Sequence, residues 1–376
     1  METLLDLEQL GARLKSVDIM LMALVKRRMD LALQVGLYKR REGQKIFRAE
    51  VEDKRIAEVK GWAAQHDLNP SFAATLLYLL IGESCKLQMI QLQEESLNIA
   101  ETETDDERYG RLKRNLLLLT ERCCDSYDSN YEQHAFATRA YLQFERAAME
   151  REIQCLTDRE TVIDLGCATG RLTFSLSERF VHAIGYDLSP HLIATARKNA
   201  KQHAFGSRTS FEEIDIEKGI PINDSTASFV VMNLGTGSDV RNISGVITET
   251  LRVLKPGGRF FFSFYNRDAL LYRWDFLPWT VGLVASVNPH RHCLEVHLQN
   301  EVLSVYARPY SVAEVSALFR DACGREVSLS TYPTMSSILP DELFDSQPDM
   351  QQTIANLDAN LSASSMGAYI IATGQK

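Results

Sequence analysis

The stretch TVIDLGCATGR at residues 161–171 decides the fold class of the larger part of this chain. Its first five residues form a short, mostly apolar run that predicts a strand, and an amphipathic helical pattern follows the glycines. Gly166 and Gly170 permit a tight strand-to-helix turn and a close approach of the backbone to a ligand. The first turn of the helix offers free N–H groups to an anionic group. This order predicts an α/β domain with a ligand site at the turn.

Four later stretches continue the alternation of strands and helices. HAIGYD (182–187) ends at Asp187, 23 residues after Asp164, where a carboxylate can accept ribose hydroxyl protons. The other three are FEEIDIEKGIPI (211–222), SFVVMNLG (228–235) and RVLKPGGRFFFSF (252–264). Nicotinamide, flavin and methyl-donor enzymes all use a glycine-rich turn, but nucleotide dehydrogenases do not usually combine an acidic end of strand three with LKPGG.

This ordered set resembles class I S-adenosylmethionine-dependent methyltransferases over roughly residues 110–376. The resemblance implies a Rossmann-like, seven-stranded domain with S-adenosylmethionine as cofactor. It places Asp164 and Gly166 at the methionine moiety of the cofactor. It places Asp187 at the ribose and Asp215 with Ile216 at the adenine. The full set implied for cofactor binding is Asp164, Gly166, Cys167, Gly170, Asp187, Asp215, Ile216 and Asn233.

The methyl acceptor is expected to bind at an insertion, residues 265–311, that interleaves aromatic residues with Arg and His. Such side chains suit an aromatic or acidic small molecule. The expected acceptor-binding residues are Tyr265, Arg267, Arg273, Trp279, His292 and Arg308. The helical stretch 112–156 is expected to cap the cofactor pocket, and the loop at 333–365 is expected to act as a lid.

The first 95 residues predict three helices. Apolar residues on the first helix follow three-four spacing, which predicts a seam that packs against partner helices. These seam residues are Leu7, Leu10, Leu14, Val17, Leu21, Leu24, Leu31 and Val35. Arg28 stands where the next apolar residue belongs, and a buried guanidinium requires an anionic partner. Lys39 lies three turns later on nearly the same face, so the two cations are placed to clamp a small dianion.

These positions resemble the all-α chorismate mutase family over about residues 1–93. The stretches that carry the resemblance are LMALVKRRMDLALQVGLYK (21–39) and GESCKLQ (82–88). The resemblance implies a catalytic set of Arg28, Lys39, Glu52, Ser84 and Gln88. The rearrangement of chorismate to prephenate is intramolecular, so such residues hold the compact conformer and stabilise charge on the breaking C–O bond.

Two carboxylate-binding arginines of that family are missing here. Gly11 aligns with one, which reaches into the neighbouring subunit, and Val51 aligns with the other. Arg55 lies one turn from Val51 on the same face and Arg48 nearly so, and either could compensate. The sequence therefore leaves open whether the first domain catalyses, binds a ligand or only dimerises.

The composition of the chain indicates which classes of binding partner to expect. A formal charge of −9 opposes nucleic-acid binding, because that affinity depends on Lys and Arg neutralising phosphates. The seven cysteines contain no C-x-x-C pair or His/Cys ligand cluster, so no metal is expected. The chain begins without a signal-peptide pattern and lacks an apolar run of membrane-spanning length. We expect a cytoplasmic protein without membrane contact, acting on a small molecule and forming a homodimer through its N-terminal helices.

The predicted organisation is a multidomain chain: an all-α mutase-like domain at 1–95, an acidic linker at 96–110 and an α/β methyltransferase domain at 111–376. The leading hypothesis is a bifunctional fusion of a chorismate mutase with a methyltransferase for a small aromatic or shikimate-derived acceptor. One alternative is a methyltransferase whose degenerate mutase-like domain dimerises or senses a ligand. Another is an enzyme resembling carboxy-S-adenosylmethionine synthase that uses prephenate.

Overall fold

The computed structural model divides into two compact units, residues 1–103 and 104–376. It describes residues 6–42, 44, 49–96, 103–124, 127–128, 136–273, 284–288, 292–298, 301–324, 327–339, 344 and 348–376. No helix in these ranges is long and apolar enough to cross a membrane.

The first unit consists of three helices over its described residues, as predicted. They are α1 (Leu7–Arg41), α2 (Ala49–Gln65) and α3 (Pro70–Ser96). Helix α3 packs against both α1 and α2. Asn69 caps α3 by accepting the N–H groups of Ser71 and Phe72, and Pro70 occupies the first turn, where its missing N–H costs nothing.

The predicted seam of α1 is exposed to solvent at all eight positions within this chain. Leu7 is 85% exposed and Leu14 is 65% exposed. The half of α1 that packs against α3 instead uses Met29, which is buried, and Gly36. A Cβ atom on Gly36 would lie 2.6 Å from Cγ of Gln88, so glycine permits the close approach of the two helices.

The predicted acidic linker extended too far at its C-terminal side. Helix α4 (Asp105–Cys123) already includes residues 105–110. Thr104 and Glu107 form a capping box, in which each side chain binds the other residue's backbone N–H. Asp105 and Asp106 lie in the first turn, where acidic side chains stabilise the helix dipole. Residues 105–110 of the predicted linker are therefore the first turns of α4.

The second unit is built on a seven-stranded sheet with the order β3-β2-β1-β4-β5-β10-β9. Strands β1 to β5 are parallel, and β10 runs antiparallel between β5 and β9. The strands are β1 (Thr161–Leu165), β2 (His182–Asp187), β3 (Thr209–Glu213), β4 (Ala227–Met232), β5 (Leu254–Tyr265), β9 (Ser328–Tyr332) and β10 (Tyr369–Gln375). This confirms the predicted Rossmann-like class.

Helices cover both faces of this sheet, which explains why β1 and β4 are buried along their whole lengths. The helices of the second unit besides α4 are α5 (Phe136–Gln154), α6 (Arg171–Ser177), α7 (Pro190–Ala200), α8 (Ile243–Val253), α9 (Leu270–Arg273), α10 (Val312–Cys323) and α11 (Pro348–Asn360). One face buries Ile243 and Phe319 against the sheet, and the other buries Met149 of α5 and Phe344.

Two expectations about segments outside the sheet require revision. The stretch 112–156 is not one continuous helix, since α4 ends at Cys123 and α5 begins at Phe136. The described part of 333–365 packs onto the sheet through Phe344 and Ile354, beside α5. None of its described residues lines the cavity discussed below, so the structure gives this segment a packing role in place of a lid.

The insertion after β5 forms a second, three-stranded antiparallel sheet with the order β6-β7-β8. Its strands are β6 (Val284–Asn288), β7 (Cys293–Leu298) and β8 (Glu301–Tyr306). Helix α4 packs against β8, and Asn115 donates a hydrogen bond to the Ser304 carbonyl at 2.8 Å. The small sheet therefore holds α4 in place.

Candidate active sites

The first unit buries a cluster of polar side chains between its helices. Lys39, Glu52, Ser84 and Gln88 are each less than one-tenth exposed. With Arg28 they are the five residues that the sequence predicted as catalytic, and we call them the N-terminal polar cluster. Burial of so many polar groups in a small helical unit is costly unless they serve a ligand or one another.

Arg28 points inward, as its place in the seam predicted. Its Nη1 atom donates to the Leu80 carbonyl and to Ser84 Oγ, both at 2.5 Å. Burial lowers the pKa of Arg28, and the positive charge of Arg55 lowers it further. The negative charge of Glu52 opposes this shift, so Glu52 offsets part of the repulsion between the two cations.

Arg55 is one of the two residues that the sequence offered as a replacement for the arginine missing at Val51, and this compensation stays a prediction. Its Nη1 atom lies 2.9 Å from Oε2 of Glu52, which places it beside the N-terminal polar cluster. Val51 is exposed, and Arg48 lies outside the described residues. A side chain on Gly11 would meet nothing within 4 Å, so nothing in this chain explains why glycine stands there.

Two features of the cluster were not predicted. The Cys85 thiol is buried, and burial raises its pKa to about 11 despite the nearby charges of Lys39 and Arg28. Oε1 of Gln88 is buried and, within the described part of the chain, has no hydrogen-bond partner. Unpaired buried polar atoms are rare in folded proteins, so this amide indicates a place for a polar ligand group.

In the second unit, the glycine-rich turn brings backbone and carboxylate groups to the ends of β1 and β2. Gly166 has a φ of 81°, and a Cβ atom there would lie 2.7 Å from Thr236. Asp187 accepts hydrogen bonds from the N–H of Ala168 at 2.9 Å and of Ser189 at 2.8 Å. Burial nevertheless raises the pKa of Asp187. Each carboxylate oxygen retains a lone pair for a further donor.

Asp164 lies in β1, just before the glycine-rich turn, and its side chain is only 1% exposed. Oδ2 accepts a hydrogen bond from Thr173 at 2.7 Å, whereas Oδ1 is buried and has no partner in the described ranges. Burial raises the pKa of Asp164 to about 7, and the nearby Asp187 charge adds to the rise. The free oxygen is therefore placed for a cationic donor, such as an ammonium group.

A cavity of about 880 Å³, including its solvent-open part, lies at the carboxyl ends of these strands. Of the predicted cofactor residues, the lining includes Gly166, Asp187, Asp215 and Ile216. We call it the strand-end cavity. The helix α4 forms one wall, as the sequence predicted for the helical stretch in this part of the chain.

The other predicted cofactor residues lie behind this lining. The Cys167 side chain packs with Phe174, Ile193 and Phe211, and its N–H donates to the Tyr186 carbonyl. A Cβ atom on Gly170 would clash with Phe211, and Asn233 is buried at the end of β4. Their predicted contact with a cofactor stays a prediction.

Sequence reasoning missed the charged residues that join α4 to the cavity. Lys113 donates to Oδ2 of Asp215 at 2.8 Å and to Oε2 of Glu217 at 3.1 Å. Glu217 also accepts hydrogen bonds from Tyr109 and from the backbone N–H of Asn242. Burial opposes ionisation of Glu217, but these donors outweigh it and lower its pKa. The signal available in the sequence was the basic Lys113 on a predicted helix and the acidic Asp215 at a predicted strand end, which together favour an ion pair.

Of the predicted acceptor residues, the four whose side chains the structure describes do not line the strand-end cavity. Arg267 and Arg308 lie 3.0 Å and 3.6 Å from carboxylate oxygens of Glu314. His292 is exposed, and burial of part of its ring together with Arg308 lowers its pKa. Tyr265 does not line the cavity either. The Arg273 side chain and all of Trp279 lie outside the described residues. From the same insertion, Tyr306 does line the cavity, in edge contact with Tyr109.

A buried acid behind the cavity holds the loop after β4. Glu145 on α5 is 1% exposed, and its Oε1 accepts hydrogen bonds from the Leu234 N–H and the Tyr141 hydroxyl, both at 2.9 Å. Burial raises its pKa to about 7, and Asp164 adds to the rise while Arg171 opposes it. Leu234 has a left-handed φ of 51°, so this hydrogen bond fixes a strained loop.

We expect Glu145→Gln to change the pH dependence of stability. Between the ordinary glutamate pKa and about 7, the folded protein holds a proton that the unfolded chain lacks, so stability falls as pH rises. Glutamine keeps the accepting oxygen and does not ionise. The stability of the variant relative to wild type should therefore rise by about 2 kcal/mol between about pH 5 and pH 8, measured by chemical denaturation.

The exposed Glu178→Gln provides the control, since its carboxyl group is in solvent in both states. A stability difference for Glu145→Gln that does not vary with pH would contradict this explanation.

Comparisons with known proteins agree with the two units. A model of chorismate mutase type II matches residues 10–89, and a model of a methyltransferase domain matches residues 156–299. The 4-amino-4-deoxychorismate mutase of Streptomyces venezuelae is 32% identical over 96 residues, which cover 24% of this chain and 89% of that protein.

Curated methyltransferases match parts of the second unit. The demethylmenaquinone methyltransferase of Leptospira interrogans is 38% identical over 102 residues, 26% of this chain and 40% of that protein. The ubiquinone biosynthesis O-methyltransferase of Idiomarina loihiensis is 31% identical over 126 residues, 33% of this chain and 47% of that protein. This chain thus spans less than half the length of either.

Among solved structures, a SAM-dependent methyltransferase from Thermotoga maritima matches with a TM-score of 0.42 and 19% identity, over 68% of this chain and 98% of that one. Both resemblances inferred from the sequence are confirmed by the family models and the curated relatives. In its N-terminal unit the chain belongs to the chorismate mutase type II family, and its C-terminal unit carries a methyltransferase domain.

Proposed function

We propose that this protein is a bifunctional enzyme that rearranges chorismate or a close analogue in its first unit and transfers a methyl group from S-adenosylmethionine in its second. The observation that carries the proposal is the strand-end cavity, where Gly166, Asp187, Asp215 and Ile216 meet at the ends of parallel strands. Ligands of open α/β sheets bind at this edge.

The residues present fit S-adenosylmethionine. Gly166 provides a turn that a Cβ atom would block, and Asp187 lies where ribose hydroxyl groups need acceptors. Asp164 contributes an unpaired buried oxygen toward an ammonium group, and Ile216 an apolar contact for the adenine. When bound, the cofactor supplies an activated methyl group. The protein binds it, orients it against the acceptor and excludes water.

The N-terminal polar cluster supports a rearrangement activity. Arg28 and Arg55 are placed for the carboxylates of a dianion, and Gln88 and Lys39 for an ether or amine substituent. The relative from Streptomyces venezuelae acts on 4-amino-4-deoxychorismate, so this analogue belongs beside chorismate in the test. The reaction needs no nucleophile, only a rigid, charged site.

The acceptor that we propose is a small aromatic or shikimate-derived molecule. The strand-end cavity is walled by Leu112, Leu116 and Tyr306 beside its polar residues, which suits a planar, partly apolar ligand. The fusion with a mutase-like unit favours an acceptor from the same metabolic branch.

Isotope tracing tests the methyl transfer. The protein is incubated with S-adenosylmethionine carrying a labelled methyl group and with a pool of chorismate-derived metabolites, and the products are identified by mass spectrometry. We expect one labelled small molecule. A carboxylated cofactor formed in the presence of prephenate would instead identify the carboxy-S-adenosylmethionine alternative, and no label in any metabolite would contradict the proposal.

The second candidate is a methyltransferase whose first unit dimerises or senses a ligand without catalysis. Gly11 and Val51 stand at the positions of two arginines that bind substrate carboxylates in the chorismate mutase family. The absence of these arginines favours the second candidate. Consumption of chorismate and of its 4-amino analogue, followed by absorbance, separates the two candidates. Ligand binding without turnover would support the second.

We further propose that the protein forms a homodimer through α1. Its eight exposed seam residues make an apolar stripe that water would otherwise cover, and such stripes mark interfaces. Leu14→Glu should give a monomer of 42.5 kDa where wild type gives twice that mass in analytical ultracentrifugation. Glutamate keeps the helix propensity close to that of leucine.

Lys15→Glu, on the next and also exposed position of α1, is the matched control and should remain dimeric. A wild-type protein that sediments as a monomer would contradict the proposed dimer.

A further inference from the structure

Asp239 differs from the other acids of the strand-end cavity. It lies in the loop after β4, lines the cavity beside Thr236 and Val240, and is half-buried. Its Oδ1 atom is buried and has no hydrogen-bond partner among the residues that the structure describes. Burial alone raises its pKa well above the usual range, with no neighbouring charge or donor to oppose it.

The remaining acids of the cavity are already engaged. Asp187 accepts two backbone N–H groups, Asp215 accepts Lys113, and Glu217 accepts Lys113 and Tyr109. Burial of a carboxyl group without a donor is energetically unfavourable, which indicates a donor on a bound molecule.

The donors of the methyl-group source are already matched under the proposed function, on which this inference rests. That proposal assigns its ribose hydroxyls to Asp187 and its adenine amine to Asp215, both of which line the cavity, and its ammonium group to the buried Oδ1 of Asp164. Asp239 is left over. The remaining donor in the cavity must therefore belong to the acceptor.

We propose that Asp239 is the base that takes the proton of a phenolic hydroxyl on the acceptor, whose oxygen receives the methyl group. The apolar walls at Leu112, Leu116 and Val240 suit the aromatic ring that carries this hydroxyl. The carboxylate accepts the proton as the acceptor oxygen bonds to the transferred carbon, and the electrons of the broken carbon–sulfur bond stay on sulfur. The products are a methyl ether, a neutral thioether and a carboxylic acid, which returns its proton to solvent.

A base in an apolar wall suits this step. A carboxyl group of raised pKa is a stronger proton acceptor than an ordinary aspartate, and general bases work best when their pKa lies near the working pH. The base must be ionised to act, so kcat/KM of the wild type should rise with pH through that raised pKa.

The first test measures cofactor-site binding. Calorimetry with S-adenosylhomocysteine compares wild type, Asp239→Asn and Asp321→Asn, an exposed acid of α10 that serves as control. We expect affinities within about twofold of each other, since Asp239 faces the acceptor. A loss of binding in Asp239→Asn would make Asp239 a cofactor ligand and overturn the proposal.

The second test measures transfer of a labelled methyl group to 4-hydroxybenzoate and 3,4-dihydroxybenzoate, with the product atom identified by mass spectrometry and NMR. We expect a methyl ether, and Asp239→Asn should lower kcat about 100-fold with little change in KM. It should also lose the rise of kcat/KM with pH, whereas Asp321→Asn should behave as wild type.

Three results would overturn the inference: full activity in Asp239→Asn, methylation only at carbon or nitrogen, or no transfer to either phenol. If wild type binds S-adenosylhomocysteine and methylates other metabolites, the proposed methyl transfer stands without this role for Asp239. If wild type does not bind S-adenosylhomocysteine, the proposed function itself fails.

Discussion

Arg28→Ala is expected to lower kcat/KM for chorismate or its 4-amino analogue about 1,000-fold, because removing one partner of a buried charge pair typically costs 3–5 kcal/mol. The Arg28 guanidinium belongs to the N-terminal polar cluster, where it donates hydrogen bonds to the Leu80 carbonyl and the Ser84 hydroxyl. Its loss leaves a substrate carboxylate without a charged donor. Initial rates from substrate absorbance measure the effect.

Arg27→Ala is the matched control, since Arg27 is the preceding residue on α1 and is exposed. It should retain wild-type rates. Arg28→Ala also removes two internal hydrogen bonds, so thermal denaturation of both variants must show a folded first unit. Equal rates in wild type and Arg28→Ala would mean that the first unit does not catalyse, and would favour the dimerising or ligand-sensing role.

Asp187→Ala is expected to weaken S-adenosylhomocysteine binding about 1,000-fold, since each hydrogen bond to a charged group contributes about 1.5–3 kcal/mol. Asp187 is placed to accept both ribose hydroxyls while its two oxygens hold the N–H groups of Ala168 and Ser189. Alanine removes the acceptors for the ligand and releases the turn that shapes the cavity. Calorimetry measures the affinity directly.

Glu213→Ala controls for the loss of an acid at the same edge of the sheet. Glu213 pairs with Asp187 in the register of β2 and β3, but its side chain is exposed. This variant should bind S-adenosylhomocysteine as wild type does. Similar losses in both variants would indicate a general weakening of the sheet edge and would contradict a specific ribose contact.

The local sequence pattern was sufficient to predict most of the fold. The strand Thr161–Leu165 has the predicted bounds, because a short buried run between a loop and a glycine turn has few alternatives. The apolar spacing of α1 correctly predicts a helix. It does not show that the seam residues are exposed to solvent in the single chain. Helical spacing identifies an apolar face, whereas only the packed structure decides whether that face is covered within the chain.

The candidate sites were predicted where a motif carried them. Asp187 and Asp215 follow strand ends, and parallel strands bring their carboxyl ends to one edge of a sheet, so their meeting could be expected. No motif predicts the contact between Tyr109 and Glu217, which lie 108 positions apart in the chain. No motif predicts a role for Asp239 either. The acceptor residues of 265–311 were chosen by composition, and their packing took Arg267 and Arg308 to Glu314 instead.

By itself, the sequence determined the two families, the order of helices and strands, and which residues stand at the turns and strand ends. These follow from interactions within a few residues: periodicity, glycine conformation and helix capping. Only the tertiary structure decided that Tyr306 of the small sheet lines the cavity, that Arg55 pairs with Glu52, and that Oδ1 of Asp239 has no partner among the described residues. Burial and the pairing of charges depend on residues far apart in the chain, which local patterns do not encode.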